Sequence, residues 1–243
     1  MNRFFVPPES LTSSTVVFPP ETAHQIASVL RLRVGQNVIL LDNLGSEFEV
    51  CLSRVEKKSV SGEVIARRPA LPEPAVQVSL YLCLTQREKF EWMLQKCTEL
   101  GAAAFYPLIS SRSLVQDAAE AAKKNTRWSQ ILQEAAEQSG RGRIPRLYPV
   151  QSWNQALHSA PTGHTHCLLA WEEEKAHSLK QALSGLAAPL SLAVLIGPEG
   201  GLSPQEASAA EAAGILPVSL GPRILRMETA AITVVANILF ELG

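Results

Sequence analysis

Two glycine-rich stretches near the C-terminus hold residue types that can do chemistry: LIGPEGGLSPQE, residues 195–206, and SLGPRILRMETA, residues 219–230. Gly197, Gly200 and Gly201 permit positive φ and close backbone approach to a ligand, and Glu199 stands among them. Ser203-Pro204-Gln205-Glu206 reads as a helix start, with an N-cap, a proline at N1 and a capping glutamate at N3. A tight strand-to-helix turn would use the same residues, so this loop alone leaves turn and binding site both open. In the second stretch Arg223 and Arg226 flank an apolar Ile224-Leu225 pair, and an arginine there can stabilise developing negative charge. A third stretch, EAAEQSGRGRIP at 134–145, sets Glu137 and Arg141 at a helix end beside Gly140. As a helix-end residue Arg141 would simply face the dipole; as a site residue it would hold an anion. Glu137 reads as an exposed helix-end charge or a site carboxylate, and Glu199 as a loop carboxylate holding a backbone N–H or a site carboxylate.

The familiar phosphate cradles are absent from the sequence. No GxxxxGK[ST] occurs, and Gly140-Arg141-Gly142 lacks the third glycine of GxGxxG and follows a helix. Two late loops lined by backbone groups suit adenosine better than a triphosphate.

Elements that position these loops can be read from periodicity. VQVSLYLCL, AAFYPLI, THCLLAW, LSLAVLIG and ILPVSL read as strands, the first of them buried on both faces. Between them run helical patterns. Thr85 with Glu88 suggests a capping box; Phe90, Met93, Leu94 and Cys97 form one apolar stripe, and Gly101 is the expected C-terminal stop. One long helix is expected from Asp117 to Ser139, and an apolar helix from Glu228 to Leu242. Strands alternating with helices imply a mainly parallel sheet, in which ligands gather beyond the carboxyl ends of the strands. Before residue 70 the pattern differs: STVVF, QNVILLD, EFEVCLSRVE and SVSGEVIAR read as short strands of a β-rich domain. Three prolines between Pro69 and Pro74 suggest a linker, so the expected domains are residues 1–74 and 75–243.

Composition narrows the function classes. The chain has 243 residues and a formal charge of −1, which gives no global sign of nucleic-acid binding. Residues 86–146 carry ten Lys/Arg against seven Asp/Glu, a local basic excess that also suits a solvated helical surface. No apolar run approaches a membrane span and the opening MNRFFVPPES lacks a signal-peptide core, so a cytoplasmic protein is expected. Cys51, Cys83, Cys97 and Cys167 lack CxxC spacing, and His164 and His166, two residues apart, have no acidic partner nearby. Neither a disulfide nor a metal is expected.

LIGPEGGLSPQE, SLGPRILRMETA, QKCTELG and EAAEQSGRGRIP, in this chain, together resemble the ribosomal RNA small-subunit methyltransferase E family of the SPOUT superfamily. The opening Asn2-Arg3-Phe4-Phe5 and HQIASVLRLRVG at 24–35 extend the resemblance more loosely into the first domain. Where family members often carry Lys-Gly-Asp/Glu, this chain reads Gln86-Arg87-Glu88, so Arg87 or Lys89 would stand in for the lysine.

The resemblance implies an α/β protein in which an N-terminal PUA-like β-barrel precedes a methyltransferase domain with a C-terminal trefoil knot. It further implies a homodimer that uses S-adenosylmethionine to methylate N3 of one uridine in 16S ribosomal RNA, within the small ribosomal subunit. Leu195, Ile196, Gly197, Glu199, Gly201, Leu220, Gly221, Ile224 and Leu225 are the expected cofactor contacts. Arg141, Arg226 and Glu137 are the expected catalytic residues, and Arg3, Arg31 and Arg33 the expected RNA contacts. A non-catalytic RNA-binding factor would not need both loops intact. A methyltransferase of another RNA, such as tRNA, would keep them and differ in the first domain.

Overall fold

The computed structural model describes residues 1–57 and 59–243. Chain contacts divide it into two units, Met1–Glu73 with Ala136–Ile144, and Pro74–Ala135 with Pro145–Gly243.

In the first unit, strands β1 (Arg3–Phe5), β2 (Thr15–Val17), β3 (Asn37–Leu41), β4 (Ser46–Glu56) and β5 (Ser59–Pro69) form one sheet in the order β1-β3-β4-β5-β2. Only β1 and β3 run parallel; the other pairs are antiparallel. Alternation places Val38 and Leu40 of β3 and Phe48, Val50 and Leu52 of β4 in one core with Phe4, Val16 and Ile26. The short helix α1 (Pro20–His24) continues into a π-helical turn at Gln25–Val29. The three-residue β1 and the short helical turns have too little periodicity to be legible beforehand.

The segment Ala136–Ile144, assigned to the second domain in the two-domain reading, groups with the first unit. Ala136 and Ile144 pack with Phe5, Ile39, Leu41 and Ala70. Polar contacts fix the same segment: Phe5 N–H donates to Glu137 Oε1 at 2.9 Å, Arg143 Nη2 to the Leu44 carbonyl at 2.7 Å, and Ile144 N–H to Asn43 Oδ1 at 2.8 Å. Arg141 is buried, with Nε donating to Glu73 Oε2 at 3.0 Å and Nη2 to the same oxygen.

The second unit alternates strands and helices. Strand β6 (Val76–Cys83) leads to α2 (Arg87–Leu100) and β7 (Ala104–Ile109). Helices α3 (Ala118–Ala122) and α4 (Asn125–Ser139) follow, then β8 (Arg146–Leu147), β9 (Gln151–Ser152) and α5 (Trp153–Gly163). The chain ends with β10 (His166–Ala170), α6 (Leu179–Leu183), β11 (Leu190–Ile196), α7 (Pro204–Ala212), β12 (Leu216–Val218) and α8 (Met227–Leu242). The sheet order is β12-β10-β11-β6-β7-β8, with β9 also on β7, and every pair is parallel. The two-residue β8 and β9 were not anticipated.

Two helix expectations change. The long helix expected over 117–139 is two: Asp117 caps α3 by accepting from Ala119 N–H and Glu120 N–H, and a turn closed by Lys124 N–H on the Ala121 carbonyl separates it from α4. At α2, Gln86 is the N-cap and makes no side-chain cap bond, and the Thr85 hydroxyl donates to Glu199. The expected stop is seen: Gly101 has φ of 113° and sends its N–H back to the Thr98 carbonyl. Helix α8 packs on α2 and β6, and it buries Met227, Ala230, Ala231, Val234, Val235 and Ile238 along one face. Among the described residues no helix is long and apolar enough to cross a membrane.

The Arg141–Glu73 pair sets a first prediction. Arg141→Met strands a largely buried carboxylate, whose side chain is 17% exposed, and should cost about 3 kcal/mol of folding stability by denaturant titration. The double substitution Arg141→Met/Glu73→Met should recover most of that loss. Equal losses in the single and double variants would show that the pair is not coupled.

Candidate functional site

Strands β10, β11 and β12 are adjacent and parallel, so their carboxyl ends open on the same edge of the sheet. Beyond that edge lies a cavity of about 440 Å³. One wall is the chain leaving β11, from Ile196 to Gly201; another is Ser219 to Glu228, which leaves β12 and enters α8; Ala170, Trp171 and Glu172 leave β10. Lys89 reaches in from α2.

Sequence chemistry explains the shape of the first wall. Gly201 has φ of +69°, where a side chain is strained, and an added Cβ would stand 2.6 Å from Glu172 Oε1. Gly197 serves a different need, since a Cβ there would lie 2.9 Å from Cγ of the buried Leu202. Absence of a side chain at Gly197 lets Leu202 fold back under the loop. The loop ends in a full capping box: Glu206 N–H donates to Ser203 Oγ, while Ser203 N–H donates to Glu206 Oε2 at 2.9 Å. Glu206 also accepts from Ser111 N–H at 2.8 Å, and Arg112 Nη1 donates to the Gly200 carbonyl at 3.1 Å.

Glu199 is the polar hub of the loop. It accepts from the Thr85 hydroxyl, and its other oxygen accepts from Lys89 Nζ at 2.9 Å. These two bonds, with the charges of Lys89 and Arg226, hold its carboxyl below the usual carboxylate range. A carboxylate so stabilised is a weak proton acceptor and a good anchor.

The structure brings together most of the residues expected at one site. Ile196, Gly197, Glu199, Gly201, Leu220, Gly221, Ile224, Leu225 and Arg226 all line the cavity. Leu195 does not: it is buried within β11, one residue before the strand end. Arg141 and Glu137 belong to the first unit, where they bond with Glu73 and Phe5. Of the expected RNA contacts, Arg3 pairs with Glu47 at 2.7 Å, whereas Arg31 and Arg33 are exposed. Sequence reasoning missed Trp171, Glu172, Ser219 and Glu228 as wall residues. Trp171 had only the end of a strand pattern as its signal, while Glu228 stood inside the quoted RMETA run and was not singled out. Among the described residues no group of three or more His, Cys, Asp or Glu could hold a metal ion.

Residues 72–239 match the RNA methyltransferase domain family, and residues 18–65 match the RNA methyltransferase PUA domain family. The ribosomal RNA small subunit methyltransferase E of Bacillus subtilis is 35% identical across 99% of this chain and 97% of its own length. The chain belongs to the ribosomal RNA small subunit methyltransferase E family. The Synechocystis member is 33% identical over 97% of this chain and 76% of its own. A crystal structure of the Neisseria gonorrhoeae family member bound to S-adenosyl methionine superposes with a TM-score of 0.89, at 31% identity, covering 100% of this chain and 98% of that one. Within this family the Gly197–Gly201 loop and the Leu220–Arg226 loop are part of the methyltransferase domain, and the mixed sheet of the first unit carries the PUA match.

The bonds at Glu199 make its contribution pH-dependent. With its folded pKa depressed below 4.5, the stabilisation is fully present above that value and is lost as pH falls through the depressed one. Glu199→Gln should therefore lower Tm relative to wild type at about pH 7 and much less at about pH 3. A difference in Tm that stays constant across that range would contradict an ionised anchor.

Proposed function

We propose that this chain is an S-adenosylmethionine-dependent methyltransferase that modifies N3 of one uridine in 16S ribosomal RNA. The observation that carries the proposal is the cavity itself. Its walls are two loops that offer close backbone approach at Gly197, Gly201 and Gly221 and apolar side chains at Ile196, Leu220 and Leu225. Its volume is in the range that takes a cofactor-sized ligand. When bound, S-adenosylmethionine supplies an electrophilic methyl group on a cationic sulfur.

What the chain must do is position and stabilise. Uracil N3 is a weak acid, and its proton has to leave at or before attack on the methyl group. The resulting imide carries negative charge on nitrogen and the flanking oxygens. Arg226, exposed at the cavity and the N-cap residue of α8, is placed to meet that charge. Arg141 and Glu137 keep their partners in the first unit, so the electrostatic role proposed here rests on Arg226. Loop walls tied down through Glu199, Glu206 and Arg112 would serve to align the reacting atoms, and alignment supplies much of the acceleration.

The remaining parts of the proposal follow family membership. A PUA-like barrel in the first unit contacts RNA through Arg31 and Arg33, with Arg3 held back by Glu47. The methyltransferase domain carries a trefoil knot of the SPOUT type. The protein acts as a cytoplasmic homodimer on the small ribosomal subunit, in keeping with large apolar side chains left in solvent at Ile224 and Phe240, 84% and 88% exposed.

Transfer of labelled methyl from S-adenosylmethionine tests the reaction. Small-subunit RNA should become labelled at a uridine N3, and tRNA should not; label in tRNA alone would overturn the substrate assignment. Gly201→Val should weaken S-adenosylmethionine binding by at least about tenfold, or about 1.4 kcal/mol. Full affinity in a folded Gly201→Val protein would remove this loop from the site. Replacing Arg31 and Arg33 with Gln should shallow the log-log salt dependence of RNA binding by about 0.7 to 0.9 for each lost phosphate contact. An unchanged slope would take the two arginines out of the RNA interface.

A further inference from the structure

Glu172 lines the cavity and takes no part in anchoring its walls. The strand before it fixes its place: Ala170 pairs with Ile196 across β10 and β11, so two residues beyond that pair Glu172 stands beside the Gly197–Gly201 loop. The turn that carries it is tied down on several sides. Trp171 N–H donates to the Val218 carbonyl at 3.1 Å, Glu174 N–H to the Trp171 carbonyl at 3.3 Å, and Lys175 Nζ to the Glu172 carbonyl at 2.7 Å. Glu174 Oε1 then accepts from His177 N–H at 2.9 Å, and the His177 carbonyl accepts from Ser219 N–H at 2.8 Å, which joins this turn to the opposite wall.

The carboxylate on that fixed turn is open. Glu172 is exposed, and among the described residues no hydrogen bond or ion pair engages its side chain. The other cavity carboxylates differ: Glu199 is closed by Thr85 and Lys89, and one oxygen of Glu228 is sealed from solvent. Glu172 Oε1 lies against Gly201, only 2.6 Å from where a Cβ would stand, so any side chain at 201 would push the carboxylate away. An open carboxylate is an acceptor only, with two oxygens side by side. The vicinal hydroxyls of a ribose are two donors side by side, and O–H···O⁻ bonds are short and strong. A carboxylate beside a glycine-rich turn, at the carboxyl edge of a parallel sheet, is also how dinucleotide-binding α/β proteins hold a ribose hydroxyl.

We infer that Glu172 holds the ribose of the bound nucleoside, one carboxylate oxygen accepting from the 2′-hydroxyl and the other from the 3′-hydroxyl. The inference rests on the S-adenosylmethionine reading and adds to it the residue that reads the sugar. Glu172 makes the cavity select a ribonucleoside over its 2′-deoxy counterpart, because the deoxy sugar displaces water from one oxygen and returns no hydrogen bond.

Calorimetric titration with S-adenosylhomocysteine and its 2′-deoxy analogue tests this. Wild-type protein should bind S-adenosylhomocysteine at least about tenfold more tightly than the deoxy compound, as expected for one hydrogen bond to a charged group. Glu172→Ala should weaken S-adenosylhomocysteine by at least about tenfold and shrink the preference between the two ligands to about twofold or less. An unchanged Tm shows that this variant, altered at an exposed position, is folded. A preference for the ribose that survives Glu172→Ala would overturn the inference, since the hydroxyl would then be read elsewhere and Glu172 would act by charge alone. Wild-type protein that binds both ligands equally would overturn it as well. Unaltered S-adenosylhomocysteine affinity in Glu172→Ala, with slowed methyl transfer, would overturn it too and move Glu172 to the substrate proton. Wild-type protein that binds neither ligand would overturn the cofactor reading, and this inference with it.

Discussion

The Glu199 carboxylate, held between the Thr85 hydroxyl and Lys89 Nζ, is the contact on which the geometry of the cavity depends. It joins the loop after β11 to the start of α2, two segments that share a sheet but lie 114 residues apart in sequence. Four other constraints converge on the same loop: the fold-back of Leu202 against Gly197, the Ser203–Glu206 box, the Ser111–Glu206 bond and the Arg112–Gly200 bond. A glycine-rich segment has the largest conformational entropy to lose on ordering. Side-chain anchors at its polar positions are what make it a wall and not a floppy connection.

Parallel pairing explains why the cavity lies at one edge of the sheet. Parallel pairing of β10, β11 and β12 brings three connections to one end, each contributing a different kind of surface. The β11 connection supplies backbone and an ionised anchor, the β12 connection supplies apolar side chains and Arg226, and the β10 connection supplies Trp171 and Glu172. Charges of both signs line the cavity: Lys89 pairs with Glu199, and the charge of Arg226 also acts on Glu199.

Local sequence was a good guide wherever the deciding interaction was local. Gly101 as a helix stop, Ser203 to Glu206 as a helix start and the apolar stripe of α2 all follow from neighbours within one or two turns. Legibility ended where a side chain preferred a distant partner. Thr85 with Glu88 had the spacing of a capping box, yet α2 starts one residue later with Gln86 as its N-cap, and the Thr85 hydroxyl donates to Glu199. Arg141 beside Gly140 looked like a helix-end or site residue, and its partner Glu73 lies 68 residues earlier in a proline-rich stretch with no periodic signal. Arg226 lines the cavity, and Arg141 and Glu137 are bonded within the first unit. The local pattern showed none of these partners, because all three are charged residues next to glycine or a helix end.

Co-crystallisation with S-adenosylhomocysteine tests the central claim, that the cavity at the carboxyl ends of β10, β11 and β12 is the cofactor site. The adenosine should lie between the Gly197–Gly201 loop and the Leu220–Leu225 loop, with the Glu199–Thr85 and Glu199–Lys89 bonds intact and the wall residues unmoved. Ligand density elsewhere on the chain would contradict the claim. So would a bound state in which Glu199 has left Thr85 and Lys89, since the wall would then be built by the ligand and not by the anchors described here.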